Sequence, residues 1–227
     1  MSTVMDIADL NTQAATRSLV SGGGAPLRFV APPDDGLNYE LRIRDRGEVA
    51  TRPGNPHDLL NAQAWLDFPL TKAALNRLHC DALARQQGTR RSAVRDALTL
   101  FDESGLIVSS DRPELLALLR GFNWKPLFWQ QRAAVKAAMR FDVLGHALAE
   151  KLLDPYKGIT AHALILDTPG STSREQCDAL AAAALPALGS TRDLAPVPVL
   201  GIPGWSPASE DAAYYEDTAI FRPGRRA

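Results

Sequence analysis

The 227-residue chain has only two cysteines, no long apolar run and almost no net charge. Cys80 and Cys177 lie far apart and outside any Cys-x-x-Cys or Cys-His ligand spacing, so we expect two buried small hydrophobes. No stretch approaches the ~20 apolar residues of a membrane span, and the N-terminus has no apolar signal region. These absences predict a cytoplasmic protein that makes no membrane contact.

The charge balance also limits the classes of partner. A net charge of −1 creates no positive field that could gather nucleic acid, so a general nucleic-acid binder is disfavoured. With 45% hydrophobic and 22% charged residues, the chain has the composition of an ordinary globular protein with enough apolar residues for a core. Its oligomeric state stays open.

Hydrophobic patterning predicts an α+β fold, a single compact domain with short hairpins and several amphipathic helices. Residues 1–24 predict an N-terminal helix and a Gly-rich turn, and residues 25–227 the single domain. If the domain has a lobe boundary, the basic connection near residues 88–96 is the place for it. Arginines cluster around this connection without interleaved aromatics, which gives no support for base stacking.

Extended segments are predicted in the first half of the chain. PLRFVAP (26–32) is one, and YELRIRDRGEVATR (39–52) alternates apolar and charged residues as a strand or hairpin with one wet face does. DALTLFDESGLIVSS (96–110) predicts two strands joined by an Asp-Glu-Ser-Gly turn. This turn explains Asp102 and Glu103 structurally, although the adjacent carboxylates are kept as secondary candidates for a site.

The second half of the chain predicts alternating helices and strands. Asp111 and Pro113 predict one helix start, and a capping box at Thr172 and Glu175 predicts another. Its prolines keep the segment 195–205 extended. The remaining elements are helices at 124–139, 146–155 and 176–188 and strands at 140–145 and 159–167.

The stretch NPHDLLNAQAWLDFPLTKAALNRLH (55–79) carries an unusual set of polar and aromatic side chains on two predicted helices. Asn55 and Asp58 are explained as a helix cap and a dipole partner. His57, Asn61 and Trp65 then follow at i, i+4 and i+8, so they share one face of the first helix.

The second of these helices is predicted to begin at Pro69. Lys72, Asn76 and His79 recur on it at i, i+4 and i+7 and form one stripe. A solvated helix boundary is the simpler interpretation of this stripe. The alternative is that the two polar faces fold together, so that His57 and His79 bind a divalent metal ion and Lys72 holds an anionic substrate.

Two further histidines are weaker candidates. His146 and Glu150 at i, i+4 put an imidazole and a carboxylate on one predicted helix face, as metal or acid–base chemistry sometimes requires. His162 sits on an alternating strand, where a half-buried structural role is favoured.

Several blocks together resemble the proteobacterial domain-of-unknown-function family 3025. They are NPHDLLNAQAWLDFPLTKAALNRLH, DALTLFDESG, VLGHALAEKLLDPYKGITAHALIL and EDAAYYEDTAIFRPGRR, in order over residues 27–223. The resemblance brings no activity with it. It implies that a set of polar and aromatic residues in the first block belongs to a recurrent signature, namely His57, Asp58, Asn61, Trp65, Lys72, Asn76 and His79.

A looser likeness concerns nucleases. A hairpin followed by HDLLNAQAW and KAALN is similar to the end of the His-Asn-His (ββα-metal) nuclease motif, in which asparagines hold the metal-bearing helix against the hairpin. The chain departs from that pattern because residues 44–48, Arg-Asp-Arg-Gly-Glu, stand where the paired histidines belong. A general base of that type is therefore missing.

The leading hypothesis is a metal-assisted hydrolase acting on a small phosphate-containing substrate. In it, His57, His79 and Lys72 are catalytic, and Asn61, Asn76 and Trp65 orient or bind the substrate. The alternative hypothesis is a non-catalytic binding or assembly protein that uses the same polar stripe for recognition, with tryptophans as anchors.

Overall fold

The N-terminal part of the chain combines helices with a two-stranded parallel sheet, in a computed structural model that describes residues 6–85 and 92–225. The elements are α1 (Ile7–Thr16), β1 (Arg28–Val30), α2 (Tyr39–Arg46), β2 (Glu48–Ala50), α3 (Pro56–Asp67) and α4 (Pro69–Ala84). Asn55 caps α3 through a bond from the Asp58 amide, and Pro69 begins α4, as the sequence predicts. The predicted extended segment at 26–32 contains β1.

The prediction of a strand or hairpin at residues 39–52 is wrong for most of its length. Residues Tyr39–Arg46 form α2, which Asn38 caps at its start, and only Glu48–Ala50 is a strand. Gly47 ends the helix in the left-handed region, at a φ of 69°, where glycine has no Cβ penalty. The hairpin required by the nuclease likeness is therefore absent here, because β2 pairs in parallel with β1.

The hairpin predicted at residues 96–110 is also wrong. Residues Ala93–Ser104 form helix α5, which runs directly into strand β3 (Gly105–Ser110) without an intervening turn. Apolar side chains at Val94, Ala97, Leu98 and Phe101 follow the i, i+3, i+4, i+7 spacing of a buried helix face. Asp102 and Glu103 consequently lie in the last turn of a helix.

The rest of the chain builds and covers a four-stranded sheet. The elements are α6 (Pro113–Arg120), a π-helical segment (Lys125–Gln130), α7 (Arg132–Ala138), β4 (Arg140–Val143), α8 (His146–Lys151), β5 (Thr160–Asp167), α9 (Arg174–Ala184) and β6 (Ala195–Pro198). The strand order is β4-β3-β5-β6, with β3 and β5 parallel and both outer pairs antiparallel. Ile107 of β3 pairs with Asp142 of β4 and Leu164 of β5.

Most of the predicted elements in this half are confirmed, with shifts of one residue at two helix starts. Arg112 rather than Asp111 precedes α6, and no side chain caps it. The capping box before α9 joins Ser173 and Gln176, not Thr172 and Glu175. The segment 195–205 is predicted to be extended. The structure confirms a strand for β6, whereas Val199–Gly201 forms a 3-10 turn.

Three apolar clusters hold these elements together. One lies on one face of the four-stranded sheet, beneath α6 and the π-helical segment, and includes Val108, Phe128 and Ala163. A second lies on the opposite face, beneath α4, α5 and α9, and includes Phe101 and Ile107. A third joins α1, β1, α2 and α3. The predicted α+β single domain is confirmed by this arrangement.

Parts of the sequence prediction fall on residues 1–5 and 86–91, which lie outside the described residues. They include Arg90, Arg91 and the beginning of the lobe boundary proposed near 88–96, so the division of the domain stays a prediction. Among the described residues, no helix is both long and apolar enough to cross a lipid bilayer.

Candidate functional site

Five helices surround a cavity of about 370 Å³ on the side of α5 that faces the N-terminal part. Helix α3 and helix α8 pack against each other, and α5 packs against both α4 and α8. The side chains that line the cavity are mostly ionisable or polar. They include Tyr39, Glu40, Arg52, His57, Asp58, Asn61, His79, Arg95, Thr99, Asp102, Glu103 and His146.

His57 lies in the first turn of α3 and reaches across to α8. Its Nδ1 atom is 2.9 Å from a carboxylate oxygen of Glu150, with both side chains partly exposed. When Nδ1 carries the proton of this hydrogen bond, the other ring nitrogen, Nε2, keeps its lone pair. The contact with Glu150 therefore sets both the orientation of the ring and which nitrogen can act as a ligand.

The start of α8 is pressed against the junction of α5 and β3. The amides of Leu144 and Gly145 both donate to the Gly105 carbonyl. A Cβ atom at residue 145 would lie 2.4 Å from the Gly105 nitrogen and 2.6 Å from the Glu103 carbonyl oxygen, so only glycine allows this approach. Because His146 follows directly, the close approach brings its ring to the acidic end of α5.

His146 is 5% exposed and lies among carboxylates and a second imidazole. Its Nε2 atom is 3.4 Å from a Glu103 oxygen, and its Nδ1 atom is 4.0 Å from an Asp102 oxygen. This second separation is too long for a hydrogen bond, and Nδ1 is buried without a partner among the described residues. The ring of His57 lies edge-on to that of His146, with centroids 4.5 Å apart.

His57, Glu103 and His146 form a group that could hold a metal ion. Each offers one ligand atom, and the three atoms lie within 4.8 Å of one another. Two histidines and a glutamate are a ligand set of catalytic zinc sites, which keep further positions for water or substrate. His79 is 5% exposed and lines the same cavity, but it is not part of this group.

A buried ion pair lies beneath the histidines. The Lys72 ammonium group, 4% exposed, donates to a carboxylate oxygen of Asp102 and, at 2.9 Å, to the Asn61 carbonyl oxygen. Burial works to raise the pKa of Asp102, but the charges of Lys72 and His146 outweigh it and hold that pKa below its ordinary value. The Asp102 carboxylate is therefore charged at neutral pH.

The ion pair continues into a polar network. Asn61 donates from Nδ2 to the Tyr39 hydroxyl at 3.0 Å, and Tyr39 as a whole is 40% exposed. The ammonium group of Lys72 also lies 5.6 Å from the ring centroid of Trp65, which is 1% exposed. Trp65 therefore packs under the network and does not line the cavity of about 370 Å³ around His57.

Asn76 connects α4 to the start of α2. Its Nδ2 atom donates to the Glu40 carbonyl at 2.9 Å and to the Glu40 carboxylate at 2.8 Å, and its Oδ1 atom accepts from the Gly22 amide. Burial raises the pKa of Glu40 to about 7, an effect that the hydrogen bond from Asn76 does not overcome. Glu40 thus titrates near neutral pH at the wall of the cavity.

The structure brings most of the predicted residues together. His57, Asn61, His79, Asp102, Glu103 and His146 line one cavity. Lys72, Asn76 and Trp65 adjoin it through a narrow cleft behind His79, and Glu150 binds His57 from the rim. The solvated boundary considered for the Lys72 stripe is wrong, because all three of its members are at least nine-tenths buried.

Sequence reasoning missed Tyr39, Glu40 and Arg52 as members of the site. Alternation in the sequence predicts a strand or hairpin at Tyr39 and Glu40 where the structure has α2, although Asn38 carries a helix-start signal. Arg52 binds both oxygens of Asp58 at 2.8 Å at the rim. No sequence signal links these residues to His146, because their proximity depends on the packing of α8.

Comparison with known proteins gives one match. The model of a family described as a protein of unknown function (DUF3025) matches residues 27–225, which is most of the chain. No curated protein and no solved structure shows significant similarity to the chain.

Proposed function

The chain belongs to the DUF3025 family, whose description assigns no activity, and from the site alone we propose that it is a metal-dependent hydrolase of a small phosphate-containing substrate. The observation that carries the proposal is the group of His57, Glu103 and His146, whose ligand atoms lie within 4.8 Å of one another on the wall of a cavity. A divalent ion held there supplies two effects, a more acidic water and a polarised phosphoryl oxygen.

The carboxylates around the two histidines support metal binding. Ligating histidines usually give their second ring nitrogen to a carboxylate or carbonyl, which sets the tautomer and makes the ligand more basic. Glu150 lies 2.9 Å from Nδ1 of His57 and can accept its proton. Asp102 lies 4.0 Å from Nδ1 of His146, on the side of the ring away from Glu103. Lys72 in turn holds Asp102 in its charged form. We therefore assign Lys72 a positioning role in place of the anion-holding role considered from the sequence.

A phosphate substrate would be bound mainly through the metal, because carboxylates outnumber arginines in the lining. Arg52 and Arg95 both line the cavity, but Arg52 is already paired with Asp58. Glu40 and His79 line it too, and the pKa of Glu40, near 7, suits a group that accepts a proton at neutral pH. In the proposed hydrolysis, Glu40 takes a proton from the attacking water, the water oxygen bonds to phosphorus, and the leaving oxygen departs with a proton from His79.

The alternative function is a non-catalytic binding or assembly protein. In that case the same residues recognise a partner, and substitutions in them change partner capture without changing any turnover. The concave, ionisable lining of the cavity favours the hydrolase, since recognition surfaces rely on exposed apolar or aromatic anchors. A cytoplasmic location stays our expectation for either function.

Phosphatase assays test the proposal. Purified untagged protein is assayed with p-nitrophenyl phosphate and bis-p-nitrophenyl phosphate after chelation and after addition of Zn²⁺, Mn²⁺ or Mg²⁺. We expect turnover that requires a metal ion and falls at least ~100-fold in Glu103→Gln, because a ligand is lost. His162→Gln, on another part of the sheet, is the matched control and keeps full activity.

Two results contradict the proposal. One is turnover that survives complete chelation and the Glu103→Gln change. The other is the absence of turnover with every metal, together with a partner that binds wild type but not Glu103→Gln, which would establish the binding protein instead.

A further inference from the structure

A second and larger cavity, of about 660 Å³, lies at the β6 edge of the four-stranded sheet. Its floor is formed by Thr160 and His162 of β5 and by Pro196 and Pro198 of β6, which pair with them across the ladder. The 3-10 turn at Thr191–Asp193 and the C-terminal segment 219–225 form its walls. This arginine groove, as we call it, shares no residue with the cavity around His57.

The groove carries a concentrated positive charge. Arg192, Arg222 and Arg225 line it, whereas no aspartate or glutamate does. Among the described residues, none of the three arginines makes an ion pair with a carboxylate. Asp193, the acid next to Arg192 in the chain, turns its carboxylate to the Gly189 and Ser190 amides. The amides of Ser190 and Gly189, and after them the charge of Arg225, lower the pKa of Asp193, so this acid offsets part of the positive charge and the rest is left for a ligand.

Two of these arginines are held in place by the backbone. Arg225 donates to the carbonyls of Arg192 and Leu194, and Arg222 donates from Nε to the Ala219 carbonyl. Such contacts orient the guanidinium groups in advance, which lowers the entropic cost of binding an anion. Guanidinium groups bind phosphate oxygens in pairs with favourable geometry.

His162 lies on the floor of the groove. Its Nδ1 atom makes no hydrogen bond among the described residues, but it is buried and is not exposed to a ligand in the groove. Burial, together with the charges of Arg225 and Lys151, lowers the pKa of His162, so the imidazole is neutral at pH 7. A neutral imidazole beside three cations can both donate and accept a hydrogen bond.

An aromatic side chain, Phe122, also lines the groove. Trp124 lies behind it, only 4% exposed, with the two rings edge to face and their centroids 5.7 Å apart. Phe122 follows α6 at a φ of 57°, in a C-terminal motif where the amide of Asn123 donates to Leu118 and that of Phe122 to Leu119. Glycine is the usual residue at this left-handed position, and phenylalanine is strained there. The strain is retained where the ring contributes to the groove.

We propose that the arginine groove binds a small organic phosphate with a flat ring, of the size of a mononucleotide. The phosphate lies between the guanidinium groups, and the ring lies against Phe122. Cavities of this volume suit ligands of a few tens of atoms. Aromatic side chains stack on any of the nucleobases. The inference does not depend on the hydrolase proposal, because its residues and its ligand contacts are separate from the metal group.

Titration calorimetry with AMP, adenosine and inorganic phosphate tests the groove, using chelator-treated protein so that a metal ion cannot hold the phosphate. We expect AMP to bind with a Kd below ~1 mM and the two fragments to bind at least ~tenfold more weakly. The double variant Arg192→Gln/Arg222→Gln lowers AMP affinity at least ~tenfold, and Phe122→Gly lowers it by a similar factor. Arg192→Gln alone serves if the double variant does not fold.

Control variants separate this groove from the first cavity. Arg77→Gln, an exposed arginine on α4, and His146→Ala both bind AMP as wild type does. Phe122→Gly keeps its fold, as seen by circular dichroism, because glycine relieves the left-handed strain. Wild type that binds no AMP, AMP no tighter than inorganic phosphate, or affinity that falls in His146→Ala but not in the arginine variants overturns the proposal.

Discussion

The two cavities of this protein differ in how their charged side chains are paired. Around His57, acids, imidazoles and Lys72 neutralise one another through bonds made inside the protein. In the arginine groove, three guanidinium groups face the cavity without an acid among its lining residues. The first arrangement holds its own side chains in position, as a metal site requires, whereas the second leaves part of its charge for a ligand.

The difference follows from where each cavity lies in the fold. The first lies among α2, α3, α4, α5 and α8 and is as open to solvent as the second, but Lys72, His79 and His146 beside it are buried and lose water. The second lies at the β6 edge of the sheet, where Thr160 is exposed and the wall is a chain segment rather than a helix. Exposed guanidinium groups keep their hydration there and cost little to leave unpaired.

The largest expected effect comes from the buried ion pair. Lys72→Met leaves the Asp102 carboxylate without its partner, and we expect urea denaturation to show a loss of ~4 kcal/mol in the free energy of unfolding. Lys157 and Asp217, near the arginine groove, form a pair in which both side chains are 39% exposed. Lys157→Met should therefore cost only ~0.5 kcal/mol.

A double variant checks the cause of this loss. Lys72→Met/Asp102→Asn removes both charges, so most of the lost stability should return. A double variant as unstable as Lys72→Met would show that packing of the lysine stem, and not the unpaired carboxylate, causes the loss.

The next largest effect concerns the approach of α8 to α5. Gly145→Ala places a Cβ atom 2.4 Å from the Gly105 nitrogen, and the resulting overpacking should lower unfolding free energy by ~2 kcal/mol. Gly158→Ala, in the arginine groove, meets only side chains at ordinary contact distance, Tyr156 at 3.6 Å and Ile220 at 3.8 Å, and should change the unfolding free energy by less than ~0.5 kcal/mol. Equal unfolding free energies for the two variants would refute the close approach that brings His146 to Glu103.

Glu40 gives the first cavity a pH dependence. Its folded pKa of about 7 lies above the ordinary 4.5, so the folded state binds more protons between these values and stability falls as pH rises from 4.5 to 7. Between these pH values the unfolding free energy of Glu40→Gln should fall by ~2 kcal/mol less than that of wild type, as measured by urea denaturation at a series of pH values. Parallel profiles for the variant and wild type would show that the carboxyl is not buried in solution.

His162 gives the second cavity the opposite and smaller dependence. Its folded pKa lies below the ordinary 6.5, so the unfolded state binds more protons and stability falls as pH drops below 6.5. His162→Gln should flatten this part of the profile by less than ~1 kcal/mol. A variant profile that falls as steeply as that of wild type would mean that His162 is not the group responsible.

The α+β class and most elements beyond Pro113 could be predicted from local patterns, since strands such as Thr160–Asp167 alternate clearly and helices begin at proline or a cap. The two errors share a cause. In both α2 and α5, alternation over a few residues resembles that of a strand, while the four-residue helical repeat and the caps at Asn38 and Ser92 indicate the helix.

The site itself could be predicted only in part. The polar stripes of α3 and α4 were visible as helical spacing, but their partners come from distant segments. Glu103 and His146 are 43 positions apart and meet through the packing of α8 on the end of α5. The hairpin predicted at residues 96–110 places Glu103 in a turn, and the polar stripes of α3 and α4 lead the metal hypothesis to pair His57 with His79.

Metal content tests the central claim most directly. Untagged wild type, His57→Ala, His79→Ala and His146→Ala are equilibrated with Zn²⁺ or Mn²⁺, dialysed and measured by elemental analysis, with circular dichroism to confirm folding. We predict about one ion per wild-type and His79→Ala chain, and none in His57→Ala or His146→Ala. Loss of the ion in His79→Ala with retention in His146→Ala, or no bound ion in wild type, would contradict the claim that His57, Glu103 and His146 hold the metal.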